Sequence, residues 1–111
     1  MSLFHVATES EWTAGQADGR YLPARFGADG FVHCCGDRAA ALQVVAAYYA
    51  HVTTGLMLVT LDEAKLDVPL KWEAPAPPDG QAHAHHEPGR RFPHVYGSIP
   101  LTAVTAVERL R

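Results

Sequence analysis

Gly30-Phe31-Val32-His33-Cys34-Cys35-Gly36-Asp37 is an apolar run between two glycines that carries a histidine and two cysteines and ends on an acidic residue. Alternation along a strand puts Phe31, His33 and Cys35 on one face and Val32 and Cys34 on the other. Asp37 is a helix N-cap, and Ala39, Leu42, Val45 or Ala46 and Tyr49 recur behind it at near-helical spacing. A strand that delivers a histidine and runs straight into a helix start is a natural place for a ligand site. The plainer alternative is a core strand whose imidazole is satisfied by its neighbours.

Working outward, Leu3-Phe4-His5-Val6 reads as a strand with Leu3 and His5 on one face. Thr8 and Glu11 form a capping box that starts a helix to about Gln16, anchored by Trp12. Residues 18–30, with three glycines and a proline, read as a loop in which Tyr21 is the anchored residue. Beyond the Asp37 helix, Leu56–Leu61 is continuously apolar, as suits a central strand covered on both faces. Asp62–Leu66 reads as a turn or single helical turn, and Val68–Glu73 as an edge strand with Glu73 opposite in face to Trp72. Residues 74–92 form a long Pro/His-rich loop inside a single domain of residues 1–111. Pro93–Gly97 returns to strand with His94 and Tyr96 in phase, Ile99–Leu101 turns the chain, and Val104–Leu110 closes it. This predicts an α+β fold with about six strands and two main helices.

The 111 residues carry a net charge of −3, and their nine basic residues are scattered apart from Arg90-Arg91. Bulk nucleic-acid binding, which calls for a basic stripe, is not expected, although the arginine pair suits one phosphate. There is no bilayer-length apolar run and no charged and apolar leader at Met1–His5, so a cytoplasmic protein without membrane contact is expected. Adjacent Cys34 and Cys35 cannot make a relaxed disulfide with each other, and buried, inert thiols are the better reading for both.

Three strands each bring a histidine, His5, His33 and His94, and neighbouring strands would line one cleft with them. Tyr96 and Glu73 would add a hydroxyl and a carboxylate for acid–base work or cation stabilisation. Three independently satisfied histidines are the competing account. His83-Ala84-His85-His86 invites a metal reading, but a histidine run in a Pro-rich loop is more often a surface segment, so no metal ligands are assigned.

Taken in order, Leu3-Phe4-His5-Val6, Trp12, Tyr21, Gly30-Phe31-Val32-His33-Cys34, Leu70-Lys71-Trp72-Glu73 and Phe92-Pro93-His94-Val95-Tyr96-Gly97 resemble the bacterial domain-of-unknown-function family 952 over nearly the full chain. Cys35 stands where that family usually has serine. The resemblance implies an ADP-ribosyltransferase-like fold: two small, mostly antiparallel sheets flanking a cleft that holds NAD. It implies that His5 and His33 orient a nucleotide's ribose and phosphates; His94 and Tyr96, placed in the cleft by strand phase, complete the expected cofactor-binding set. Glu73 would then act with His33 as the catalytic carboxylate, and Glu108 is the other candidate. A His–His pair without that glutamate would resemble the RNA 2′-phosphotransferase branch of the fold, with Arg90 or Arg91 on a phosphate. Three functions stay open: such a transferase, a non-catalytic nucleotide or metabolite binder, and a metal-responsive protein using His83–His86.

Overall fold

The computed structural model describes residues 1–74 and 90–111. Most of the 74–92 loop, with His83, His85 and His86, therefore lies outside the described residues. The architecture is α+β. It is built from three small antiparallel sheets where two were expected, and the described residues form nine strands where about six were.

The first sheet has β5 (Leu56–Asp62) at its centre, between β1 (Ser2–Thr8) and β9 (Val104–Arg109). The apolar run of β5 is explained by what covers it. Leu56 and Leu58 enter a core cluster under the long helix, while Val59 and Leu61 enter a second cluster on the other face. β1 divides in the same way, with Leu3 in one cluster and Val6 in the other.

The second sheet joins β2 (Gln16–Ala17), β3 (Arg20–Tyr21) and β8 (Ile99–Pro100). It occupies segments read from sequence as a loop and a turn, because two-residue strands carry too little periodicity to announce themselves. Tyr21 is fully buried there, as its place in the chain suggested. The third sheet, in the order β4 (Val32–His33), β7 (Phe92–Val95), β6 (Leu70–Glu73), carries His33, His94, Lys71 and Glu73 on one face.

Of the helices, α1 (Glu9–Ala14) starts at the expected capping box: the Thr8 hydroxyl accepts from the Glu11 amide at 3.2 Å. α2 (Phe26–Asp29) is one turn inside the predicted loop. α3 (Arg38–Tyr48) is the only long one among the described residues, and Asp37 caps it by accepting from the Ala40 amide at 2.7 Å. Its buried face is Ala40, Ala41 and Val45, not the expected stripe through Ala39 and Leu42, and Leu42 is exposed. Two adjacent alanines let the helix backbone lie close on the sheet, and that contact outweighs the burial of one leucine. Among the described residues no helix is long and apolar enough to cross a membrane.

Candidate functional site

β4 and β7 pair in a register that sets His33 directly opposite His94. Paired residues on neighbouring strands share a face with their Cβ atoms about 5 Å apart, and here the two imidazole centroids are 5.9 Å apart, edge to face. Lys71, opposite His94 on the other side, and Glu73 share that face, while Val32 and Val95 point the other way into the core.

Each imidazole is held by a carboxylate. His33 Nε2 lies 2.9 Å from Asp29 Oδ2, and His94 Nδ1 lies 2.8 Å from Glu73 Oε1. A carboxylate only accepts, so in each case the ring N–H donates to it and the tautomer is fixed. Among the described residues no hydrogen-bond partner engages His33 Nδ1 or His94 Nε2. Phe31 stacks on His94 at 4.0 Å and tilts against His33 at 4.7 Å, packing both rings into one aromatic group.

Asp29 reaches His33 because of the turn between them. Asp29 is the last residue of α2, and Gly30 caps that helix at φ 81°, a left-handed conformation that reverses the chain. Asp29 also pairs with Arg25. Burial raises its carboxyl pKa, but the bonds from Arg25 and His33 outweigh that and hold it below the usual range. Burial pulls the His33 pKa down, and support from Asp29 only partly offsets this. Glu73 is held low by the hydroxyl of Tyr96 and by His94. Tyr96 donates a very short bond to Glu73, which in turn raises the phenol's pKa.

His5 is different. Its Nδ1 is 2.6 Å from the His33 carbonyl and its Nε2 is 2.9 Å from the Tyr21 hydroxyl. The carbonyl can only accept, so Nδ1 carries the proton and Nε2 accepts from Tyr21. Burial lowers the His5 pKa to about 4, so the ring is neutral at physiological pH. Both nitrogens are taken, and His5 reaches the site through the backbone of His33.

A pocket of about 750 Å³ of empty volume, its open mouth included, lies where β1 of the first sheet faces β4 and β7 of the third. Phe4, Phe26, Phe31 and Tyr49 give it aromatic walls, and His5, His33 and His94 all line it. Glu73 and Tyr96 are not among the lining residues; they stand behind His94. The structure thus gathers all five predicted side chains into one neighbourhood but puts only the three histidines at the cavity. Glu108 lies on β9 and is bound by Arg38 at 2.6 Å, outside this neighbourhood.

Sequence reading missed Asp29, Arg25 and Glu11. Asp29 is four residues before His33, a spacing with meaning on a helix but hidden here by the intervening glycine. Glu11 was read only as a capping residue, which it is, its amide donating to the Thr8 hydroxyl; its side chain also forms part of the pocket wall, where burial raises its carboxyl pKa. Cys34 and Cys35 are buried, and burial raises both thiol pKa values, that of Cys35 to about 12. Neither serves as a nucleophile near neutral pH. Among the described residues no group of three or more metal-binding side chains is assembled.

Comparison with known proteins gives a consistent result. The family model described as "Protein of unknown function (DUF952)" matches residues 6–107. The crystal structure of protein CC0527 from Caulobacter crescentus superposes with a TM-score of 0.74 at 28% identity, covering 100% of this chain and 87% of that one. The solution structure of the same protein gives 0.65 at 26% identity, covering 96% and 81%. No curated protein matches.

Proposed function

This chain belongs to the DUF952 family of proteins of unknown function, and from that premise we propose that its aromatic pocket binds a nucleotide, NAD or a relative, at the His33–His94 pair. The observation that carries the reading is the pair itself: two facing imidazoles, each oriented by a carboxylate, each with one ring nitrogen left over beside an aromatic cavity. A flat heteroaromatic ring suits the phenyl walls, and a ribose hydroxyl suits the imidazole nitrogens. We read the fold as ADP-ribosyltransferase-like on the same ground, since two small sheets flank the pocket.

Proton movement at a ribose hydroxyl is the chemistry these groups are suited to. With its pKa lowered, His33 is neutral near pH 7, and Nδ1 is its basic nitrogen. Glu73 acts behind His94, orienting that ring, instead of touching the ribose. Tyr96 holds Glu73 in place, and His5 holds the His33 backbone.

A second reading, binding without turnover, is favoured by a specific observation. Of the two carboxyl groups at the pocket wall, Asp29 is already committed to Arg25 and His33, and burial disfavours the charged form of Glu11. None is left to stabilise an oxocarbenium-like cation, so loss of nicotinamide is the weaker of the transferase chemistries and the His–His type the stronger.

A thermal-shift series with NAD, ADP-ribose and AMP, followed by a nicotinamide-release assay, tests the proposal. At a concentration of 100 Kd a true ligand stabilises the fold by about 2.7 kcal/mol, and His33→Asn or His94→Asn weakens binding tenfold or more. Unchanged stability with every nucleotide, or variants that bind like the wild type, would reject the site. Binding without release selects the second reading.

A further inference from the structure

We propose that Trp72, Arg90 and Arg91 form a separate recognition site for a nucleoside phosphate, with the base on the indole and the phosphate between the guanidiniums. The three residues line a shallow cavity of about 460 Å³ of empty volume, open mouth included, with Gly36, Asp37 and Phe92. Phe92 is the wall common to this cavity and the histidine pocket.

Trp72 is 41% exposed, a large apolar surface to leave open to water. Its ring is nonetheless seated: it lies over Gly36 so closely that a Cβ there would be 2.8 Å from the indole. One edge of the ring is thus fixed by backbone contact while the rest stays open, which is the arrangement a stacking platform needs. Base–aromatic stacking tolerates any base, because every base has a π-face.

Charge points the same way. The chain as a whole is at −3, yet two arginines meet here. Arg90 lies over the Phe92 ring at 5.3 Å, and its contact with Asp37 is long, at 3.7 Å. Asp37 is the negative group in the cavity, and its other oxygen is committed to capping α3. Among the described residues Arg91 has no ion-pair partner. The guanidinium fork matches phosphate oxygens, and the N-terminus of the eleven-residue α3 adds its positive dipole end.

The test uses the full chain, isotope-labelled, with AMP as probe. The two tryptophans give two indole N–H resonances, and Trp72→Phe identifies the one that matters. AMP is expected to shift that resonance saturably and to quench indole emission. Adenosine and inorganic phosphate each bind at least tenfold more weakly than AMP, and Arg90→Ala with Arg91→Ala weakens AMP at least tenfold. A response confined to the rings of His33 and His94 overturns the proposal and leaves the histidine pocket standing. Equal affinity for AMP and adenosine, or no Trp72 shift at millimolar AMP, overturns it too.

Discussion

His5 on the one hand, and His33 with His94 on the other, are the same residue type on strands of two sheets that face one pocket, yet the protein uses them in opposite ways. His5 is sealed: both nitrogens are bonded, and burial keeps the ring uncharged. Among the described residues His33 and His94 are each anchored by one nitrogen only, to a carboxylate. What separates a structural from a chemical histidine here is the second nitrogen, and strand position alone does not reveal it. Mutational stability and ligand response should therefore come apart between the two kinds.

The largest break expected is in stability. His5→Ala leaves the buried Tyr21 hydroxyl without its partner, at roughly 1–3 kcal/mol, removes the part-buried bond to the His33 carbonyl, and opens a hole in the wall. A loss of about 4 kcal/mol in urea denaturation is the expected outcome. His33→Ala, whose side chain is partly exposed, should cost about 1 kcal/mol. A reversal of that order would show that His5 is not the structural member.

The acid side gives the next effect. The His5 pKa falls from 6.5 to about 4 on folding, so between those values the unfolded chain binds more protons than the native one. The contribution is fully present above pH 6.5 and is lost as the pH falls towards 4, at most about 3 kcal/mol over that window. His33, also lowered, adds a loss of the same sign. Chemical denaturation at pH 7.5, 5.5 and 4.5 measures the sum, and nitrogen chemical shifts separate the two rings. His5 should keep its Nδ1–H tautomer while His33 titrates.

The same contrast explains what the sequence could and could not disclose. The central strand Leu56–Leu61, the capping box at Thr8 and Glu11, the helix start at Asp37 and the burial of Tyr21 were all legible, because each is set by residues close in sequence. The placing of three histidines on strands was legible in the same way, whereas their meeting at one pocket depends on how those strands come together. The sheet of two-residue strands was not, since its pairs join Gln16 to Tyr21 and Tyr21 to Ile99 with almost no local pattern. The sealing of His5 was equally hidden: its partners are 16 and 28 residues away. Glu73 was read as a residue of the cleft because strand phase gives a face, whereas the cavity boundary depends on which side chain stands in front. His94 does.

A smaller effect sharpens the anchored side. Gly30 sits at φ 81° with open space around its Cα, so Gly30→Ala meets strain in the backbone and no collision. The cost should be about 1 kcal/mol. Relaxation of the turn moves Asp29 away from His33, and the proton shifts of the His33 ring should respond while those of His5 stay put.

The smallest effect is at Glu73→Gln, and it bears on what anchors His94. Glu73 is partly exposed and the amide keeps its shape and an acceptor oxygen, so global stability should move little. The Tyr96 phenol is raised chiefly by its bond to the Glu73 carboxylate. A neutral amide can still accept that bond but no longer opposes a phenolate with its charge. Tyr96 should therefore ionise at lower pH in the variant, read as the rise of tyrosinate absorbance. The amide can offer Tyr96 and His94 an oxygen or an NH₂ group; if the NH₂ turns to His94 Nδ1, the ring's proton is driven to Nε2, the nitrogen that Glu73 does not hold. Nucleotide binding that survives this change of tautomer would mean that His94 contributes shape and stacking to the pocket, and that proton traffic rests on His33 alone.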